Sequence, residues 1–296
     1  MSLTTRAYIV AGASLVLSGA GGVSWADPVG PQGVQALHEK VAYVVDDATP
    51  EAPFYITAEI KNHIESSEAA LYFPQSVDDI ATALQDTGSW CEILPLHLNI
   101  KACTYSGSGD EITLYMGRKF YQDPDDAYKL TYRFATRVDD GYFNAVAVAD
   151  EGPLGTSDYH IDFEVLDVGG KSFARIHVSD HQSWTSSNAM RVYLHTKGKN
   201  KQGVSVVGHD KDGNPIYSKG MPAVAERNLL RYYFAFAAFF ETAGITDAAS
   251  RHAKQLAYWF DQTEKYQQLH ELDRSTYFEE KKHERKNQIA LQADLH

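Results

Sequence analysis

The stretch "AERNLLRYYFAFAAFFETAG", residues 225–244, is apolar on nearly every side when it is drawn as a helix. Leu230 and Tyr233 recur at helical spacing on one face, and Tyr232 and Phe239 occupy another. A surface helix has one apolar stripe, whereas a helix that is apolar all round is buried in a protein or in a membrane. The apolar part is shorter than the roughly 20 residues that cross a bilayer, so we expect a helix enclosed by protein.

Two arginines lie one turn apart within this stretch. Arg227 and Arg231 need charged or hydrogen-bonded partners if they are buried, because an unpaired charge is costly to remove from water. One interpretation is a structural ion pair, either in the neighbourhood of Glu226 or with a strand carboxylate such as Asp162 or Glu164. The other is an anchor for the polar head group of a bound ligand. The ion pair is preferred for Arg227, and both interpretations stay open for Arg231.

The first 26 residues have the pattern of an export signal. Arg6 precedes an apolar run at residues 7–20, and "SWA" at 24–26 is a small-x-small cleavage pattern. We therefore predict cleavage after Ala26 and a mature protein in the periplasm or outside the cell. An uncleaved membrane anchor is the alternative, but the apolar run is short for a bilayer span.

Composition narrows the class of protein. The chain has 296 residues, 44% of them hydrophobic, which is enough for one large domain or two small ones with a real core. The formal net charge is −12, and removal of the signal, whose one charged residue is Arg6, changes it to −13. Such an acidic chain repels phosphate groups, so no nucleic-acid partner is expected.

The chain contains two cysteines, Cys91 and Cys103. In an exported protein, two cysteines this close in sequence favour a structural disulfide. A catalytic thiol activated by His97, which lies between them, is the alternative, but one histidine is weak support for a lowered thiol pKa.

Helical patterns flank the centre of the chain. Prolines bracket a short helical pattern in residues 27–54, which we expect to pack on the body as an N-terminal extension. Ser76 has the chemistry of a helix start, and we expect that helix to end at Gly88. A charged, amphipathic helix is predicted from residue 247 to about 290, with its first part packed on the body.

Between residues 111 and 181 the apolar pattern changes to a period of two. Five strand-length runs separated by the turn signals "QDPDD", "DDG", "EGPLGTSD" and "GGK" predict an antiparallel meander. In the fourth run, large apolar residues alternate with His160, Asp162 and Glu164, so we expect one covered face and one polar face. A helix over residues 184–197 and a hairpin at "KDGN" follow.

No metal or catalytic signature is present. The twelve histidines form neither an HExxH nor a Cys/His pattern, and no carboxylates stand out as an acid–base pair. The segment "HDKDGN" resembles the start of a calcium loop, but the twelfth position counted from Asp210 is Met221 instead of glutamate. We therefore predict no metal site and no cofactor.

The order of these elements resembles the START-like or SRPBCC (Bet v 1-like) helix-grip superfamily, in an exported bacterial branch. The resemblance rests on "ALYFPQSVDDIATALQDTGSWCEILP", the strand series, "GVSVVG" and "AVAERNLLRYYFAFAAFF". It implies an α+β fold in which a curved antiparallel sheet wraps a long C-terminal helix and leaves a hydrophobic cavity between them. The expected parts are a signal peptide (1–26), the extension (27–54), the helix-grip domain (55–244) and a helical tail (245–296).

The resemblance also implies a candidate set of cavity-lining residues that would contact a ligand. They are Tyr115, Tyr132, Phe134, Phe163, His177, Arg231, Tyr232, Ala235 and Phe239. The expected function is binding or transfer of a hydrophobic small molecule or lipid, with transient contact to a membrane or membrane protein left open. The alternatives are a cyclase/aromatase-like enzyme using Tyr132, His177 and Arg231 as acid–base groups, and a structural or interaction protein with a filled core.

Overall fold

The computed structural model describes residues 29–46, 54–196 and 198–295. The predicted signal peptide and its cleavage site lie outside these residues, and the four-part division of the chain stays a prediction. Among the described residues, no helix is long and apolar enough to span a bilayer.

Within the described ranges, ten strands form one large sheet and one separate hairpin. They are β1 (Phe54–Lys61), β2 (Ile64–Phe73), β3 (Ile100–Tyr105), β4 (Glu111–Met116), β5 (Tyr128–Asp139), β6 (Tyr142–Glu151), β7 (Ser157–Val168), β8 (Lys171–His181), β9 (Gln202–His209) and β10 (Pro215–Lys219). The α-helices are α1 (Gly30–Val45), α2 (Val77–Leu84), α3 (Thr87–Ile93), α4 (Trp184–His195), α5 (Gly220–Glu241), α6 (Ala248–Thr263) and α7 (Arg274–Ala293).

Strands β1 to β8 pair antiparallel in the order β1-β2-β8-β7-β6-β5-β4-β3. The five predicted runs are β4 to β8, and the predicted hairpin is β9–β10, closed where the Asp210 amide donates to the Asn214 carbonyl oxygen. The edge strand β3 was not predicted. Its residues from Ile100 to Thr104 are all buried, so no alternation of apolar and polar residues marks it as a strand.

The predicted buried helix is α5, and it packs against β1, β2, α3, α6 and β9. We call the sheet face that carries Tyr132, Phe163 and Ile176 the inner face, because α5 lies over it. The other side of α5 is covered by α6, where the Trp259 indole N–H donates to the Arg231 carbonyl oxygen at 2.9 Å. An antiparallel sheet holding one long helix is the expected helix-grip arrangement, which is thereby confirmed.

The opposite, outer face of the sheet carries the polar residues of the alternation, as expected, but it is also covered in part by α1. His160, Asp162 and Glu164 are all buried there. Arg175 bridges Glu164 and Glu68, at 2.7 Å to each carboxylate. Because charged residues can be buried when they pair with one another, the period-two pattern did not distinguish a solvated face from a covered one.

Two long helical predictions were wrong at their ends, because a side chain caps a new helix in each case. The first ends before Gly88, since the Asp86 carboxylate accepts a hydrogen bond from the Gly88 amide and starts α3. The C-terminal helix is divided into α6 and α7, and Asp273 caps α7 by accepting from the Thr276 amide at 2.9 Å.

The predicted disulfide is present and buried, and it joins α3 to the edge strand β3. The Cα atoms of Cys91 and Cys103 are 5.0 Å apart. Helix α7 lies against the same strand. The Gln288 side chain accepts from the Cys103 amide at 3.0 Å and donates to the Cys91 carbonyl oxygen at 2.8 Å, and Gln292 bonds both backbone polar groups of Tyr105. The C-terminal segment thus docks on its own chain and satisfies the edge strand.

Candidate functional site

A cavity of about 340 Å³ lies between the inner face of the sheet and α5. Strands β4, β5, β7 and β8 each contribute side chains at every second position, since alternate residues of a strand point to the same face. Helix α5 contributes Leu229, Tyr232 and Phe236, and α4 contributes Met190. Most of the wall is therefore aliphatic or aromatic, which is the environment that a hydrophobic ligand requires.

Aromatic side chains close one end of the cavity. The rings of Phe163 and Phe236 stack with centroids 4.7 Å apart, so the sheet and α5 meet directly there. Trp90 packs edge-on against Phe236 and Phe134, with both centroid distances 5.3 Å. Its indole N–H donates to the Leu84 carbonyl oxygen at 2.8 Å, which holds the ring in place.

Two carboxyl groups lie in another part of the wall. Glu65 of β2 and Asp180 of β8 are register partners across the strand pair, and both line the cavity. The Gln182 side-chain amide donates to both carboxylates, at 3.2 Å to Glu65. Gln182 is itself held by Ser186, whose hydroxyl donates to its amide oxygen at 3.0 Å. The three residues form a polar group, the Glu65–Asp180–Gln182 cluster, in a mostly apolar wall.

Burial changes the ionisation of these two acids. Loss of solvent, together with the charge of Asp180, raises the pKa of Glu65 from 4.5 to about 7. Loss of solvent raises the pKa of Asp180 from 3.8 to about 6, although the hydrogen bond from Gln182 opposes the shift. Both carboxyl groups can therefore gain or lose a proton near neutral pH.

Tyrosine hydroxyl groups add further polarity. Tyr132 is 5% exposed and lines the cavity, and burial together with the neighbouring Tyr232, Tyr159 and Asp180 raises its pKa. The Tyr159 hydroxyl lies 2.7 Å from the Thr156 hydroxyl oxygen. No hydrogen-bond partner is found for the Tyr132 hydroxyl in the part of the chain that the structure describes.

Of the nine candidate residues, Tyr132, Phe134, Phe163 and Tyr232 lie in the wall of this cavity. The other five lie elsewhere: Tyr115, His177, Arg231, Ala235 and Phe239. Whether any of the nine contacts a ligand stays a prediction.

The residues outside the wall have ordinary packing roles. Tyr115 alternates with the cavity residues Leu114 and Met116, and the Lys129 ammonium lies 5.3 Å from its ring centroid. Ala235 is fully buried in α5, and Phe239 borders a surface groove beside the disulfide. Helical and strand periodicity identified these residues as buried, but not which neighbour each one faces.

His177 lies on the outer face of the sheet. The Ser66 hydroxyl oxygen is 3.0 Å from its Nε2 atom, and an Asp162 carboxylate oxygen is 3.9 Å from its Nδ1 atom. Burial and the charge of Arg175 lower the pKa of His177. The suggested acid–base set of Tyr132, His177 and Arg231 is therefore not assembled, since only Tyr132 faces the cavity.

The two arginines of α5 are held by the C-terminal half of the chain, and neither pairs with Asp162 or Glu164. Arg227 donates to the Gln202 carbonyl oxygen at 2.8 Å. Arg231 donates to the Leu269 carbonyl oxygen at 3.0 Å and to Glu271 at 3.2 Å. Burial lowers the pKa of Arg231 to about 10, although Glu271 opposes the shift.

The sequence interpretation missed Glu65, Asp180, Gln182 and Asn228, all of which line the cavity. A signal for Asp180 was present, because it shares the parity of the inward-facing Ile176 and Val178 on β8. An acidic residue at an inward position of a strand is unusual and points to a site.

No protein-family model matches the sequence, and neither does any curated protein sequence. Solved structures to which this chain is similar include norcoclaurine synthase from Thalictrum flavum (16% identity over 46% of this chain and 79% of that one, TM-score 0.31). A START superfamily protein from Mycobacterium smegmatis is 11% identical over 46% of this chain and 92% of that one, with a TM-score of 0.29. Major latex-like protein 151 from Panax ginseng is 9% identical over 45% of this chain and 94% of that one, with a TM-score of 0.30. At this degree of similarity, neither the ligands nor the activities of those proteins can be assigned to this chain. By its own strand order and the position of α5, the chain has a helix-grip arrangement, an antiparallel sheet that holds one long helix.

Proposed function

We propose that this protein is an exported binding or transfer protein for a hydrophobic small molecule or lipid, held between the sheet and α5. The observation that carries the proposal is the cavity of about 340 Å³ with its largely apolar wall. Ligand pockets span roughly 300–1,000 Å³, so this one is of a size for a small ligand.

The energetics of packing support this proposal. Protein interiors are packed as densely as organic crystals, and an unfilled apolar volume costs stability in lost contacts. A ligand that fills the cavity restores those contacts, and each Å² of apolar surface that it buries contributes about 25 cal/mol before ordering costs.

Mass spectrometry of organic extracts tests the binding function. The protein is purified from its own host, and we expect one apolar compound in near-stoichiometric amount. Ala147 lines the cavity, so the variant Ala147→Phe should carry less than a tenth of that compound.

The matched control for this experiment is Ala135→Phe. Ala135 is exposed on the outer face of β5, and its register partner on β6 is Val146, the residue before Ala147. This variant should keep the wild-type amount of compound. A wild-type extract without any such compound, or equal amounts in both variants, would contradict the proposal.

Export is tested separately by cell fractionation and N-terminal sequencing. The proposal expects a mature chain that begins at Asp27, in the periplasmic or extracellular fraction. A chain that still carries residues 1–26 would contradict cleavage after Ala26.

A further inference from the structure

We propose that the cavity selects an amphiphilic amine, with its ammonium group between Glu65 and Asp180 and its hydrocarbon part among the aromatic side chains. This inference rests on the proposed ligand-binding function and names the chemical class of the ligand.

Geometry brings the two carboxylates to one place. Glu65 and Asp180 are directly opposite each other across β2 and β8, and such partners on one sheet face lie about 4.5–5.5 Å apart at their Cβ atoms. The amide of Gln182 donates to both, so the two acids are directed toward a common point. An ammonium group offers three N–H donors, enough to bond both carboxylates at once.

The charge in the cavity wall is not balanced. Among the described residues that line it, Glu65 and Asp180 are acidic and none is lysine, arginine or histidine. Two other buried carboxylates have cationic partners: Glu164 pairs with Arg175, and Glu271 pairs with Arg231. A third, Glu226, instead accepts hydrogen bonds from two backbone amides and the Ser218 hydroxyl. The described part of the wall thus contains two carboxyl groups and no positively charged side chain. A cationic ligand would supply the opposite charge that stabilises a buried carboxylate.

A second group points to a polar ligand atom at the same place. Only 5% of the surface of Tyr132 is exposed, and within the described residues its hydroxyl has no hydrogen-bond partner. Asp180 lies close enough to affect the ionisation of this hydroxyl. The hydroxyl oxygen can accept an N–H from an ammonium group, and the rings of Tyr132 and Tyr159, with centroids 6.3 Å apart, favour a nearby cation.

The raised pKa values of the two acids agree with this reading. Burial, together with the charge of Asp180, raises the pKa of Glu65 to about 7. Burial also raises the pKa of Asp180 to about 6, although Gln182 and the nearby His181 oppose that shift. A bound ammonium group would lower both pKa values, since an adjacent opposite charge favours the ionised form. A neutral alcohol would lack this contribution, and a carboxylate ligand would be repelled.

Three ligands with one alkyl chain and different head groups test the selection: octylamine, 1-octanol and octanoate. Binding to the purified full chain is measured by isothermal titration calorimetry at pH 8, where the amine and most of the two carboxyl groups are charged. We expect a Kd for octylamine at least tenfold lower than for 1-octanol, and the weakest binding for octanoate.

The double variant Glu65→Gln/Asp180→Asn should lose the preference for octylamine while its Kd for 1-octanol changes less than threefold. The matched control is Glu59→Gln/Glu151→Gln, which removes two exposed carboxylates and should keep the preference. Thermal unfolding of each variant verifies folding, and the single variant Glu65→Gln replaces the double one if the latter is unfolded.

Equal or tighter binding of 1-octanol to the wild type overturns the amine inference and leaves the proposed binding function standing. Retention of the octylamine preference in the folded double variant also overturns it. Binding of none of the three ligands contradicts the inference and the proposed function together.

Discussion

Arg231, buried within α5, pairs with Glu271 from the segment between α6 and α7, at an N–O distance of 3.2 Å. Glu271 also bonds Lys119 and Lys201, so one carboxylate joins three parts of the chain to the central helix. The middle of the enclosed helix is therefore held by a buried ion-pair network.

Replacement of Glu271 by glutamine should destabilise the fold by about 3 kcal/mol, because breaking a buried pair leaves an uncompensated charge. Denaturant unfolding at pH 7 measures the change. The control is Glu264→Gln, which removes a more exposed partner of His270 and should cost less than about 1 kcal/mol. Equal losses in the two variants would contradict the assigned role of Glu271.

The ion pairs of Glu271 also predict that the fold loses stability in acid. Burial alone would raise the pKa of Glu271, but Lys119, Lys201 and Arg231 lower it from 4.5 to about 2. The native state therefore binds this proton more weakly than the unfolded state, and the stabilisation is present above pH 4.5 and lost as the pH falls toward 2. Wild type should lose more free energy of unfolding between pH 5 and pH 3 than Glu271→Gln does, and parallel curves would count against this.

For the two acids of the cavity, we predict that the free energy of unfolding depends on pH with the opposite sign. The pKa of Glu65 is raised to about 7 and that of Asp180 to about 6, so the native state binds these protons more tightly than the unfolded state. Their contribution to the free energy of unfolding should decrease as the pH rises from about 4 to 7.

Denaturant unfolding of ligand-free protein at pH 5 and pH 8 measures this dependence. Glu65→Gln cannot titrate at that position, so it should lose less stability than wild type between the two pH values. The exposed variant Glu59→Gln should behave like wild type. A Glu65→Gln variant with the full wild-type dependence would show that Glu65 ionises normally.

The disulfide between Cys91 and Cys103 closes a short loop and joins α3 to the edge strand. Replacing both cysteines by alanine should lower the free energy of unfolding by about 3 kcal/mol, mainly because the unfolded chain regains freedom. Denaturant unfolding without reductant measures the loss. A difference below about 1 kcal/mol would mean that packing around the two side chains, not the bond, holds α3 on the sheet.

The glutamines of α7 should keep the protein from self-association. In Gln288→Ala/Gln292→Ala, backbone groups of the edge strand β3 lose their side-chain partners, and an unprotected edge strand pairs readily with another chain. Light scattering at increasing concentration should show larger species than for wild type. Lys282→Ala/Lys286→Ala alters exposed residues of the same helix and should scatter like wild type.

Much of the fold could be predicted because it depends on local patterns. Period-two runs identified β4 to β8, the Asp-Gly turn identified the β9–β10 hairpin, and all-round apolarity identified α5. The breaks at Asp86 and Asp273 were missed because a capping residue within a helical pattern has no fixed spacing. Strand β3 was missed because burial on both sides removes the alternation that marks a strand.

The site was less predictable than the fold. Aromatic residues on the inward parity of β5 and β7 were identified, and four of the nine candidates line the cavity. Tyr115, Ala235 and Phe239 are equally apolar but face other neighbours, and His177 lies on the far face of the sheet. Residue type and spacing along the chain are the same whether a side chain lines a cavity or fills the core.

The sequence by itself determined most of the strands and helices, that the chain is acidic, and that residues 225–240 are enclosed, because these properties depend on residues close together in the chain. Only the tertiary structure decided that Glu65 and Asp180 meet across two strands, that Glu271 neutralises Arg231, and that a cavity persists beside α5. Each of these depends on groups far apart in sequence, whose distance is set by packing and not by local periodicity.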